Sequence, residues 1–191
     1  MRTTKKLIQI RGANATGKTT IVRQFIQRHN LSMTYIEIGG VTTPLNVSDD
    51  GSIVVLGRYD KATGGCDLFK NKGHVVAAIK YAVKRYTPKV IIFEGFIYGK
   101  TFSFAFQLNQ LCKLLGYEFK AIILKRKFER VLELITERNC GKSFSIENLK
   151  HTVRDVSESA KKLKAAGIKA KVVDADLLPF NDMYTILEEE I

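Results

Sequence analysis

Residues Gly12 to Thr19 read Gly-Ala-Asn-Ala-Thr-Gly-Lys-Thr, a full match to G-x-x-x-x-G-K-[ST]. The run before it, Lys5 to Ile10 (KKLIQI), is short and mostly apolar, as a strand buried on both faces is. After it, Ile21, Val22, Phe25 and Ile26 mark one face of a helix over Thr19 to Asn30. A strand, a glycine loop and a helix in that order leave few folds open, because the loop must carry a buried parallel strand directly into a helix start. The glycines let the backbone curl with its N–H groups pointing inward, and the helix adds the positive end of its dipole. Gly12, Asn14, Ala15, Thr16, Gly17, Lys18, Thr19 and Thr20 are therefore the expected phosphate cradle. Lys18 is expected between β- and γ-phosphates, and the Thr19 hydroxyl on a Mg²⁺ that bridges them.

The remaining pattern alternates apolar strands with helices, which indicates a parallel sheet covered on both sides. Strand-like runs fall at Met33–Ile38, Val90–Phe93, Glu118–Leu124 and Ile168–Val173. Helical stripes fall at 75–86, 102–115, 128–138, 145–166 and 180–190. Ser145 is an expected N-cap, and Gly116 and Gly167 are expected stops. Between Asn46 and Leu56 an Asp50-Gly51 turn predicts a β-hairpin, read as a piece inserted into the sheet. With 191 residues and no repeat or linker, a single domain over 1–191 is expected.

Charge adds a second constraint. Lys and Arg number 31 against 19 acids, a formal charge of +12. Residues 1–36 carry seven bases and no acid, whereas 172–191 carry six acids and no base. Such a field favours polyanions, although it also serves simple solubility. No apolar run reaches the roughly 18 residues that a membrane span needs, so no membrane partner is expected. Three scattered cysteines and a basic start without a long apolar stretch lead to an expected cytoplasmic setting.

Three further groups carry possible chemistry. Glu94 ends the Val90–Phe93 strand, and in a doubly wound sheet that end lies beside the phosphate loop. It is a candidate Mg²⁺ ligand or proton acceptor. Arg58, Tyr59 and Asp60 follow the hairpin, and in extended chain Arg58 and Asp60 share a side. They read equally as a substrate clamp with Asp60 as general base, or as a surface ion pair of little worth. Glu37 is a competing base. Among the cations after Leu124, Arg138 and Arg130 are placed ahead of Lys125 and Lys127 for stabilising a transferring phosphoryl group, against the alternative of a solvated helix face.

At these residues the chain resembles the small P-loop kinases around the nucleoside monophosphate kinases. The likeness spans nearly the whole chain. It implies a three-layer αβα fold with a five-stranded parallel sheet in the order 2-3-1-4-5. It also implies ATP with Mg²⁺, a hairpin insert at about 41–60 and a short lid at about 138–144 whose arginine matches Arg138. The acid at the strand end in this group is usually Asp, and here it is Glu94. The segments IRG-x₄-GKT, LGRYD-x₃-GGCD and VIIFEG are more narrowly similar to phage-encoded P-loop kinases. Some of that set phosphorylate 5-hydroxymethyluracil already built into DNA. That likeness implies DNA as the partner and a base rotated out of its stack. Tyr59 is then the leading candidate to stack on it, with Phe96, Tyr98, Phe102 and Phe104 behind. A small-molecule nucleoside or nucleotide kinase and an ATP-dependent nucleic-acid-binding module are the alternatives. Oligomeric state is not legible.

Overall fold

The computed structural model describes residues 4–61, 64–95, 101–139 and 143–191. In chain order the strands are β1 (Lys6–Gly12), β2 (Ser32–Ile38), β3 (Val41–Val47), β4 (Ile53–Leu56), β5 (Val90–Glu94), β6 (Glu118–Lys125) and β7 (Lys169–Asp174). The helices are α1 (Lys18–Arg28), α2 (Lys72–Tyr86), α3 (Phe102–Leu115), α4 (Phe128–Asn139), α5 (Ile146–Ala165) and the short α6 (Thr185–Glu188).

All seven strands form one sheet in the order β2-β3-β4-β5-β1-β6-β7. This corrects the expected five-stranded parallel sheet. The sheet is mixed: β4, β5, β1, β6 and β7 run parallel, while β3 lies antiparallel to both β2 and β4. Two readings failed together. The Met33–Ile38 run, taken as a parallel strand, is an antiparallel edge strand. The arm taken as an insert, β4, is the one hydrogen-bonded to β5, with Val54 opposite Ile91. Gly39 and Gly40, both at positive φ, join β2 to β3 as a two-residue hairpin turn. The Asp50-Gly51 turn forms as expected, with Gly51 at φ +69° and the Ser52 amide donating to the Asp50 carboxylate.

Side chains of β1 alternate between the two layers, as a period of two requires. Ile8 and Ile10 pack with Ile21, Val22 and Phe25 of α1. Leu7 joins Phe93, Phe119 and residues of α2, α3 and α5 on the other side. Arg11 points into that second layer, fully buried, donating to Gln9 Oε1 at 3.0 Å and Ser159 Oγ at 2.7 Å. It thereby ties α5 to β1, and burial pulls its guanidinium down to about 10.

Helix limits follow local chemistry. The Ser145 hydroxyl accepts from the Asn148 amide, and Gly116 closes α3 at φ +73°. The expected helix over 180–190 is instead a 3₁₀ turn at Phe180–Asp182 followed by the four residues of α6. No helix is long and apolar enough to cross a membrane among the described residues.

Candidate active site

β1 delivers its last residue to the carboxyl edge of the parallel strands, and the chain turns there into α1. Ala15 at φ +59° and Gly17 at φ +95° supply the left-handed positions that curl the loop. Gly12 is required for space: a Cβ there would meet the Thr16 hydroxyl at 2.5 Å and the Leu124 carbonyl at 3.0 Å. Thr16 Oγ1 donates back to the Ala13 carbonyl at 2.9 Å. The N-cap of α1 is Gly17, which has no side chain to cap the helix, and the first turn holds no acid. The amides at this helix start are the kind that receive an anion.

Lys18 is buried, and its ammonium donates to the carbonyls of Gly12 at 3.1 Å and Ala13 at 2.8 Å. Burial pushes the Lys18 pKa down, and the charges of Glu94 and Asp67 oppose that shift. Thr19 Oγ1 donates to Glu94 Oε1 at 2.9 Å. Glu94 is 2% exposed, and burial raises its carboxyl from 4.5 to about 7 against the pull of Lys18 and the Thr19 hydroxyl. A hydroxyl beside a carboxylate is a hard-oxygen donor pair, which suits Mg²⁺.

A cleft of about 440 Å³ opens over the loop. Its walls include Asn14, Ala15, Gly17, Lys18, Thr19 and Thr20 from the loop, and Glu94 from β5. Arg23, Asp67, Arg126 and Arg138 also line it. The cleft therefore brings together six of the eight expected loop residues, Glu94 and Arg138, while Gly12 and Thr16 shape the loop without lining it. Lid positions 140–142 lie outside the described residues, as do Phe96 and Tyr98.

Five expected positions fall elsewhere. Arg130 pairs with Glu133, one turn on, on the exposed face of α4, and does not line the cleft. Glu37 is exposed on β2, four strands from β1, roughly 19 Å away at the usual strand spacing. Arg58 and Asp60 close on each other through two hydrogen bonds, Nε to Oδ1 at 2.7 Å and Nη2 to Oδ2 at 3.0 Å. That pairing holds the exposed Asp60 carboxyl below its usual range, and neither residue lines the cleft. Tyr59 is 6% exposed and packs in the α1-side core, its hydroxyl donating to the Leu56 carbonyl at 3.3 Å. It is no stacking platform. Phe104 is likewise fully buried, whereas Phe102 is half-buried.

Two polar cleft residues, Asp67 and Arg23, were not singled out, and Arg126 was read among the basic run as a possible phosphoryl-group cation but not chosen. Asp67 sits in the GGCD segment whose glycines carried the signal. Arg23 is one turn into α1 and donates Nε to the Tyr59 carbonyl at 2.8 Å. Arg126 stood in the basic run after β6. It donates to the Ala15 carbonyl at 3.3 Å and the Ala175 carbonyl at 2.8 Å, and it pairs with Asp176. It thus braces the phosphate loop against the segment after β7.

The strand–loop–helix unit at the carboxyl edge of the parallel strands, with an acid on the neighbouring strand, is the arrangement of a P-loop domain. Comparison with known proteins narrows the likeness. A 5-hmdU DNA kinase of Bacillus phage SP10 is 29% identical over 187 residues, covering 92% of this chain and 28% of that one. The 5-hmdU DNA kinase of Delftia phage PhiW-14 is 29% identical over 175 residues, covering 85% and 65%. That of Pseudomonas phage PaMx11 is 23% identical over 181 residues, covering 90% and 91%. The chain thus spans less than two thirds of the first two relatives and nearly all of the third. Among solved structures, a tunicamycin resistance protein of Deinococcus radiodurans shares the fold, with a TM-score of 0.57 at 13% identity over 97% of this chain and 95% of that one. No protein-family model matches the sequence.

Proposed function

We propose that residues 1–191 form one ATP-dependent kinase domain that transfers the γ-phosphoryl group to a hydroxyl acceptor. The favoured acceptor is the 5-hydroxymethyl group of 5-hydroxymethyluracil in DNA. One observation carries the reading: three phage relatives of that name match across 85–92% of the chain. The charge of +12 supports a polymer acceptor, since a duplex rewards a broad basic surface and a free nucleotide needs only a few cations.

In this reading the amides of 13–19 and the Lys18 ammonium hold the triphosphate. Lys18 exchanges its bonds to the Gly12 and Ala13 carbonyls for phosphate oxygens. Thr19 and Glu94 would hold Mg²⁺, which neutralises charge on the β- and γ-phosphates when bound. Arg138, at the start of the segment proposed as the lid (138–144), faces the same cleft and offsets charge on the group in flight. Arg126 braces the loop from behind.

The test is transfer of label from γ-labelled ATP across three acceptors: hydroxymethyluracil duplex, thymine duplex and free nucleotides. Labelling of the first alone is expected, and it should fall steeply between 50 and 200 mM salt. Labelling of free nucleotides only, with little salt dependence, would assign a small-molecule kinase instead. ATP-stabilised DNA binding without a phosphorylated product would remove the enzyme reading.

A further inference from the structure

We infer that Asp67 is the carboxylate that receives the acceptor's hydroxyl proton, an assignment that rests on the phosphoryl-transfer reading above. Among the described residues lining the cleft only Asp67 and Glu94 carry a carboxylate. Glu94 is engaged by Thr19 and is 2% exposed. Asp67 is exposed, on the 3₁₀ turn Cys66–Leu68. Its charge reaches both Lys18 and Glu94.

The segment that carries Asp67 is built to hold it there. Arg58 and Gly65 exchange backbone hydrogen bonds, Arg58 N to Gly65 O at 3.3 Å and Gly65 N to Arg58 O at 2.8 Å. Three glycines make that closure possible. A Cβ on Gly57 would lie 2.5 Å from the Gly65 carbonyl, one on Gly64 would lie 2.5 Å from the Arg58 carbonyl, and one on Gly65 would overlap the Glu94 carboxylate. Arg23 fastens the same segment to α1 through the carbonyls of Tyr59 and Lys61. Buried Tyr59 and Cys66 anchor it from below. The backbone thus passes against the proposed Mg²⁺ ligand and, two residues later, presents a carboxylate to the cleft.

The step balances as follows. The acceptor O–H gives its proton to an Asp67 oxygen as the acceptor oxygen bonds to the γ-phosphorus. The bond from that phosphorus to the β–γ bridging oxygen breaks, and its electron pair leaves with the diphosphate. A general base of this kind contributes about 10²–10⁴-fold in rate. The Arg58–Asp60 clasp is then a surface ion pair, outside the chemistry.

The experiment compares wild type, Asp67→Asn and Asp60→Asn in γ-phosphoryl transfer to whichever acceptor the wild type labels, together with affinity for a non-hydrolysable ATP analogue. Asp67→Asn should lower kcat at least 100-fold with analogue affinity within threefold, and Asp60→Asn should stay within threefold on both. A smaller fall for Asp67→Asn, or a matching loss of analogue affinity, overturns the assignment while the functional reading stands. A wild type that labels no acceptor overturns both.

Discussion

The two walls of the cleft are made in different ways. The floor, Gly12 to Thr20, is one contiguous run whose conformation is set by its own glycines and by the helix that follows. The facing wall, described over 57–61 and 64–67, is joined by a single antiparallel bridge between Arg58 and Gly65 ahead of its 3₁₀ turn, and it is held by contacts to α1, β5 and itself. The first wall is local and therefore readable as a motif. The second depends on backbone approaches between residues that only the fold brings together.

The largest expected effect tests the floor alone. Lys18→Met should lower phosphoryl transfer by about 10³-fold or more, since the ammonium is the loop's own cation and already rests on its carbonyls, while the melting temperature stays near wild type. Retained activity would break the contrast at its firmer side.

Glu94 joins the walls, and its titration sharpens the comparison. In the unfolded chain it titrates near 4.5, and in the metal- and nucleotide-free protein near 7. Its contribution to folding is therefore complete below about 4.5 and is lost as pH rises through about 7. At ~1.4 kcal/mol per unit, that is about 3 kcal/mol between pH 4 and 8. Urea unfolding of wild type should show this slope, and Glu94→Gln should flatten it; equal slopes would show that the site is wetter than its burial implies.

Arg138→Ala should lower kcat by on the order of 30-fold, against less than twofold for Arg130→Ala, whose partner is Glu133. Steady-state rates at saturating ATP decide this; equal losses would return Arg130 to the cleft. The smallest expected change belongs to the facing wall. Gly65→Ala forces a side chain onto φ +81° and against the Glu94 carboxylate, and should destabilise by about 1–2 kcal/mol with a parallel loss of activity. An unaffected variant would mean that the wall yields easily.

These contrasts explain what the sequence made legible. The octet, α1 and the acid at the end of β5 follow from patterns within a few residues, and the structure places them together. The caps at Ser145 and Gly116 follow in the same way. The sheet was harder, because β2 and β4 look alike in sequence: each is a short apolar run beside a turn. Only pairing, which joins Ile53 to Val90 across 36 intervening residues, tells the parallel strand from the edge strand. Gly39-Gly40 was the signal for the edge hairpin. Asp60 and Tyr59 misled for a related reason. Alternation in an extended chain places Arg58 and Asp60 side by side, which is what they show, but it does not say that both turn to each other rather than to the cleft. Tyr59 between them turns inward. The Gly64-Gly65 pair marked the tight passage that brings Asp67 round, a meaning visible only once Glu94 lies against it.

The most direct test of the whole account is a crystal structure with Mg²⁺ and a non-hydrolysable ATP analogue. Phosphate oxygens are expected within hydrogen-bond reach of the amides of residues 13–19, with Lys18 Nζ moved from the carbonyls of Gly12 and Ala13 onto the phosphates. A nucleotide bound elsewhere, with Lys18 still on those two carbonyls, would contradict it.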